Sequence, residues 1–144
     1  MFISDVLAIK GPRVVTALTT DTLIATVRKL AQHRIGAVVV EDQHMHPVGI
    51  FSERDFINAV SQVGEAALES EVQQWMSSPI VSCRPEDRID AVLGVMTMRR
   101  IRHLPVIENG ELRGIVSIGD LIKHRLDEKE LEANVLLELS RLRA

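Results

Sequence analysis

Two seven-residue blocks carry a hydroxyl and a carboxylate at the same offset. Gly49-Ile50-Phe51-Ser52-Glu53-Arg54-Asp55 returns sixty-five positions later as Gly114-Ile115-Val116-Ser117-Ile118-Gly119-Asp120. Ser-x-x-Asp at a helix start has two chemical readings. As a capping box, with Asp in place of Glu or Gln, it satisfies orphan backbone donors and contributes about 1 kcal/mol. As a binding site, it uses the unpaired N–H groups and positive dipole of the helix start. A carboxylate there accepts only, so it can receive both hydroxyls of a cis-diol such as ribose. The serine can serve the same sugar or a phosphate, and the preceding glycine lets backbone approach closely. One such block is weak evidence. Two at equivalent positions imply two similar sites facing each other.

The elements that position these blocks are themselves repeated. Asp21, Ala25, Arg34 and Ile35 recur as Asp87, Ala91, Arg100 and Ile101, sixty-six positions on. The one-residue difference falls between Glu41 and Pro47, where a longer stretch replaces Ile107–Leu112, and both stretches read as turns. In the first copy Val14 and Val15 open a short strand ending at Thr16, and Thr19-Thr20-Asp21 punctuates before a helix carrying Leu23, Val27, Leu30 and Ala31. Ile35 to Val40 is an apolar, β-branched run expected as a strand buried on both faces. Val48 to Phe51 pairs with it as a hairpin, and Ser52 starts the next helix. In the second copy Val81 and Ser82 begin the strand, and Pro85-Glu86-Asp87 leads the helix. Leu104–Ile107 and Gly114–Val116 form a hairpin around Asn109-Gly110, and Ser117 starts the last helix. The expected fold is therefore α/β (α+β): two β-α-β-β-α repeats packed about a pseudo-twofold axis, because one unit alone buries too little. The expected division is repeat 1 over 10–62, a linker with a short helix over 63–79, repeat 2 over 80–125, and a C-terminal amphipathic helix over 126–144.

Composition narrows the classes of function. Hydrophobic residues are 46% of the chain but aromatic ones only 3%, so aliphatic side chains must build the core. A net charge of -3 argues against a general polyanion binder such as a nucleic-acid protein. No apolar run approaches a membrane span, and Met1-Phe2-Ile3-Ser4-Asp5 lacks the basic and apolar regions of a signal peptide. Cys83 stands alone, which excludes an intrachain disulfide and makes a reducing cytoplasm the default expectation. No Walker loop, G-x-S-x-G or H-E-x-x-H is present, and nothing reads as a catalytic constellation.

Four further features have competing readings. Trp75 could stack on a ligand, but aromatics bury large area and a core anchor is the simpler role. His44 and His46 share a polar turn, too few ligands for a structural zinc, so no metal is expected. Cys83 has no identifiable base beside it and reads as a small buried residue. In the tail, Leu131, Val135, Leu139 and Leu142 fall on one helical face, which suits either packing on its own domain or pairing with another subunit.

The two Gly-x-x-Ser-x-x-Asp blocks, Ile35 to Val40, and Arg99-Arg100-Ile101-Arg102-His103-Leu104-Pro105-Val106-Ile107 together resemble a pair of CBS (cystathionine-β-synthase-type) domains, a Bateman module, over about residues 10 to 125. As a whole the chain is similar to small stand-alone bacterial CBS-pair proteins. The resemblance implies a regulatory module, not an enzyme, that binds an adenosyl-containing small molecule such as AMP, ATP or NAD. It implies that Asp55 and Asp120 hold ribose, with Ser52 and Ser117 beside them. Val15-Thr16 and Val81-Ser82 would line adenine. Gly36-Ala37 and Arg102-His103 would face phosphates bound on the other repeat. Arg54, Arg100, Pro105 and Ile118 complete the candidate set. Because the second copy supplies Arg100, Arg102 and His103 where the first has Gly36 and Ala37, the Asp55 cleft is expected to be the more basic and to prefer a phosphate-bearing ligand. Arg99 to Arg102 could instead be a solvated helix end. The resemblance also implies a disc-like homodimer and an effector protein of unknown identity. The alternative to a sensor is an interaction scaffold with empty clefts, in which the four Ser and Asp residues serve only as caps.

Overall fold

The computed structural model describes residues 1–11 and 13–143; Ala144, at the end of the predicted tail, lies outside them. The chain opens with a helix not predicted from the sequence, α1 (Ile3–Lys10). Repeat 1 follows as β1 (Thr16–Leu18), α2 (Leu23–His33), β2 (Ala37–Glu41), β3 (Pro47–Ser52) and α3 (Glu53–Val63). Two 3-10 turns, Gly64–Glu69 and Val72–Gln74, lead to repeat 2: α4 (Ile89–Arg99), β4 (His103–Glu108), β5 (Glu111–Ser117) and α5 (Ile118–Arg143).

The repeated residues occupy repeated geometry. Asp21 Oδ2 accepts from the Leu18 N–H, and Asp87 Oδ2 accepts from the Arg84 N–H, each at 2.8–2.9 Å, so both close the same turn before a helix. Arg34 and Arg100 end α2 and α4 in the left-handed conformation, at φ 54° and 55°. The Glu53 N–H donates to the Gly36 carbonyl and the Ile118 N–H to the Arg102 carbonyl, tying each Ser-x-x-Asp helix to the hairpin strand beside it. Asn109 and Gly110 both have positive φ, as a two-residue hairpin turn requires. β2 is buried at all five positions, as its β-branched run predicts.

Two strand expectations need correction. β1 starts at Thr16, not Val14, and runs parallel to β2 with Ala17 opposite Val40. Val81 and Ser82 begin no strand. Only Cys83 pairs there, in a single parallel bridge to Val106, at the position equivalent to Ala17–Val40. The Cys83 N–H donates to the Pro105 carbonyl and its own carbonyl accepts from the Ile107 N–H. Val81 packs against the repeat 2 core without pairing, although the turn that follows is the one Leu18 makes with Asp21 after β1. The helix starts also shift: Thr22, rather than Thr19–Asp21, caps α2 by accepting from the Ala25 N–H.

Each repeat is completed by the segment that precedes the other. Ile3, fully buried, and Val6 belong to the core of repeat 2, with Val92, Met96, Leu104, Val116 and Leu121. Val72, also fully buried, belongs to the core of repeat 1, with Leu23, Val38, Val40 and Phe51. The backbone bonds match. The Ile3 N–H donates to the Asp87 carbonyl and the Val72 N–H to the Asp21 carbonyl; the Ile89 N–H returns to Met1 and the Leu23 N–H to Ser70. Burying one such aliphatic side chain contributes about 1.5–3 kcal/mol. Trp75 packs on the repeat 1 core while its Nε1 donates to Ser70 Oγ, so it is an anchor of this crossing segment. No separate helix forms at Trp75 to Pro79. The expected C-terminal helix is present, continuous with the last helix of repeat 2 as the 26-residue α5, and Leu131, Val135, Leu139 and Leu142 are exposed along it.

Candidate functional site

The two Ser-x-x-Asp blocks sit where β3 passes into α3 and β5 into α5. In each, the Asp carboxylate reaches back to the serine's own backbone: the Ser52 N–H donates to Asp55 Oδ2 and the Ser117 N–H to Asp120 Oδ2, both at 2.9 Å. The capping reading is therefore satisfied twice. It uses one oxygen of each carboxylate. The hydroxyls differ: Ser52 Oγ donates to Asp55 Oδ2, whereas Ser117 Oγ accepts from the Asp120 N–H.

The glycines of the blocks mark close crossings. A Cβ on Gly49 would lie 2.6 Å from Met76 Sδ and 2.9 Å from the Ser77 carbonyl oxygen. A Cβ on Gly114 would lie 2.7 Å from Leu7 Cδ2. The segment completing each core thus runs against the strand that leads into the carboxylate's helix; a side chain at Gly49 would meet the Ser77 backbone and push it away, whereas one at Gly114 would meet only the end of the Leu7 side chain.

Other candidates divide. His103 stands over Gly36, whose Cβ would sit 3.3 Å from the imidazole, so the two repeats meet there. Burial pushes the His103 pKa down, and Lys10 and Arg102 add to this against the opposing pull of Asp120 and Glu53. The lowered pKa leaves the imidazole neutral at physiological pH. Val15, Thr16 and Val81 are half-buried, Ser82 is exposed, and the Thr16 carbonyl already accepts from Lys29 at 2.8 Å. Ala37 and Pro105 are buried; Arg54, Arg100 and Arg102 are exposed; Ile118 is half-buried at the start of α5.

Lys10 was not foreseen. Its ammonium donates to Asp120 Oδ2 at 2.7 Å and to the Ile115 carbonyl at 2.8 Å. Cations are expected from the sequence on the Asp55 side; Lys10 adds one at Asp120. No sequence signal pairs Lys10 with Asp120 across 110 positions, because the contact depends on α1 packing against repeat 2. At Asp55 the third contact is weaker, Ser77 Oγ at 3.5 Å from Oδ1.

The carboxylates consequently titrate in opposite directions. Burial raises the Asp55 pKa, and the bonds from Ser52 and Ser77 offset it only in part. Burial also pushes Asp120 up, but Lys10 and the Ser117 bonds outweigh it and leave the pKa below 3.8. Elsewhere, burial raises the Cys83 thiol to about 12, which leaves it without thiolate character. His44 and His46 stand exposed around Asp42, and no group of three or more potential metal ligands occurs among the described residues.

Opposite shifts give opposite pH dependence. Asp120, with a folded pKa below the unfolded value, contributes stability at neutral pH that is lost as pH falls below 3.8. Asp55, with a folded pKa above it, contributes stability at low pH that is lost as pH rises past 3.8. Urea unfolding from acid to neutral pH should show the wild-type advantage over Asp120→Asn growing with pH. The corresponding difference for Asp55→Asn should decline with pH. Parallel profiles for the two variants would refute the assigned environments.

The comparisons with known proteins agree with this architecture. The CBS domain family matches residues 3–62 and again 70–127, so the first match includes α1. A CBS-domain containing protein from Agrobacterium tumefaciens superposes with a TM-score of 0.83 at 42% identity, covering 86% of this chain and 92% of that one. A CBS domain protein from Pyrobaculum aerophilum, solved complexed with AMP, superposes with a TM-score of 0.78 at 32% identity, covering 92% and 99%. The mitochondrial CBS domain-containing protein CBSX3 of Arabidopsis thaliana is 32% identical, over 92% of this chain and 71% of its own. Among the first curated relatives the share of the relative's length that is spanned falls from 71% to as little as 34%. With two family matches over most of its length, and a fold shared with solved stand-alone members, the chain belongs to the CBS domain family as a tandem pair.

Proposed function

We propose that this chain is a non-catalytic sensor that binds an adenine nucleotide of the AMP, ATP or NAD type between its repeats and passes occupancy to a partner protein. The observation that carries this reading is the pair of carboxylates. Asp55 and Asp120 are held by their own helix starts through Oδ2, while among the described residues Oδ1 has at most the long Ser77 contact. An oriented acceptor with a spare oxygen suits a ribose diol. The AMP complex of the Pyrobaculum aerophilum relative supports the ligand class. The free-energy change passed on is limited to the ligand's differential affinity for the module's two states.

The helix sides of the repeats suit a second copy of the chain. Ile57 is 66% exposed and Met98 85%, and beside Ile57 a groove of about 690 Å³ is lined by Val27, Leu30 and Phe56. Apolar helical surface of this kind is covered in a stable assembly. We read it as the face of a homodimer, with the end of α5 free to extend the contact. Sedimentation should give about twice the 16.1 kDa chain mass, and a single-chain mass across the concentration range would exclude the pairing.

A thermal-shift panel of AMP, ATP and NAD tests the ligand. At about a hundred times Kd, binding adds about 2.7 kcal/mol, a rise of roughly 5–10 °C for a domain of this size. The shift should vanish in Asp55→Ala/Asp120→Ala, whose own loss of caps costs only about 1 kcal/mol each. No shift with any of the three would leave the four Ser and Asp residues as caps and favour the scaffold role.

A further inference from the structure

The crossing segments bring different chemistry to the two clefts. At the first, the Ser77 N–H donates to the Ile50 carbonyl at 2.8 Å, and Ser77 Oγ lies 3.5 Å from Asp55. At the second, the Lys10 ammonium meets the equivalent carbonyl, Ile115, at 2.8 Å and the equivalent carboxylate, Asp120, at 2.7 Å. A cation therefore stands at Asp120 in the place that a neutral serine holds at Asp55.

Three facts make this more than a structural tie. The Lys10 side chain is 35% exposed and that of Asp120 28%, so the pair borders solvent. An exposed pair is worth little to the fold, which leaves the ammonium free to exchange partners. Lys10 and Asp120 both act on His103, which stands over Gly36 where the repeats meet, so the pair lies close to that junction. At Asp55, by contrast, the cation acting on the carboxylate is its own neighbour Arg54, whose side chain is exposed.

We propose that Lys10 is a specificity residue of the Asp120 cleft, making that cleft select adenosine ligands that carry phosphate, while the Asp55 cleft lacks an equivalent selector. This rests on the nucleotide-binding reading above and assigns each cleft its ligand charge. A diol approaching Asp120 must share Oδ2 with an ammonium. A phosphate on the same ligand gives that ammonium a second acceptor, through a charge-assisted bond, on a stem long and flexible enough to reach it. Uncharged adenosine offers no such return, and a cationic adenosyl ligand is repelled.

The test is calorimetry of AMP and of adenosine on the full chain. Asp55→Ala silences the first cleft, and Lys10→Met and Lys10→Arg are then added separately. In Asp55→Ala, AMP should bind more tightly than adenosine. Lys10→Met should reduce that preference about tenfold or more, the scale of a hydrogen bond to a charged group. Lys10→Arg, which keeps the charge, should retain the preference. Each preference is a ratio of two ligands on one protein, so a general loss of stability cancels. An unchanged ratio in Lys10→Met overturns the inference and leaves nucleotide binding standing. Binding that survives in wild type but disappears in Asp55→Ala also overturns it, since the Asp120 cleft then takes neither ligand. No binding of either ligand by wild type overturns the inference and the proposed function together.

Discussion

Neither repeat owns its whole core. Ile3 and Val6 fill repeat 2 and Val72 fills repeat 1, so each small sheet is closed by chain that precedes its sister. A β-α-β-β-α unit of about fifty residues buries too little surface to stand alone, and the exchange supplies the deficit. It also makes the two units one folding object, because removing either segment opens the other repeat. The glycines at 49 and 114 follow from this constraint. They mark where the exchanged segments press against the strands, within 2.9 Å and 2.7 Å of any added Cβ.

The exchange sets the functional geometry as well as the stability. The segments that close the cores go on to the helix starts, delivering Ser77 to Asp55 and Lys10 to Asp120. Two carboxylates with the same sequence context and the same backbone anchor thereby acquire different electrostatics, raised pKa in one and lowered in the other. The repeat supplies two similarly held carboxylates; a single side chain on α1 distinguishes them. A symmetric pair of sites would respond to one ligand in one way. Clefts with different charge can respond to different ligands, or to one ligand in two concentration ranges.

Much of this was legible in the residues alone, and the boundary of what was legible is physical. The paired motifs marked the turns, helix starts and hairpins, because Asp21/Asp87, Arg34/Arg100 and Ser52/Ser117 act on backbone within a few positions. Local hydrogen-bond chemistry is readable from local sequence. The first helix was missed because its partner lies some eighty residues away: Ile3 and Val72 are equivalent in space but share no motif, only an apolar side chain. The strand expected at Val81 and Ser82 is reduced to the one bridge at Cys83, and the Arg84–Asp87 turn after it does not account for this, since Leu18 and Asp21 make the same turn after a three-residue strand. Lys10 escaped for the same reason as Ile3, and with it the ion pair at Asp120. A basic run such as Arg99 to Arg102 stands out in a sequence; a lone lysine placed by tertiary packing does not show in sequence spacing.

The most direct test of nucleotide sensing through these carboxylates is a crystal structure of the chain grown with AMP. The ribose hydroxyls should lie within hydrogen-bond distance of Asp55 or Asp120, between the repeats, with the helix-start bonds from Ser52 and Ser117 intact. AMP bound elsewhere on the molecule, or clefts in which both carboxylates contact only their own caps and Lys10, would contradict it.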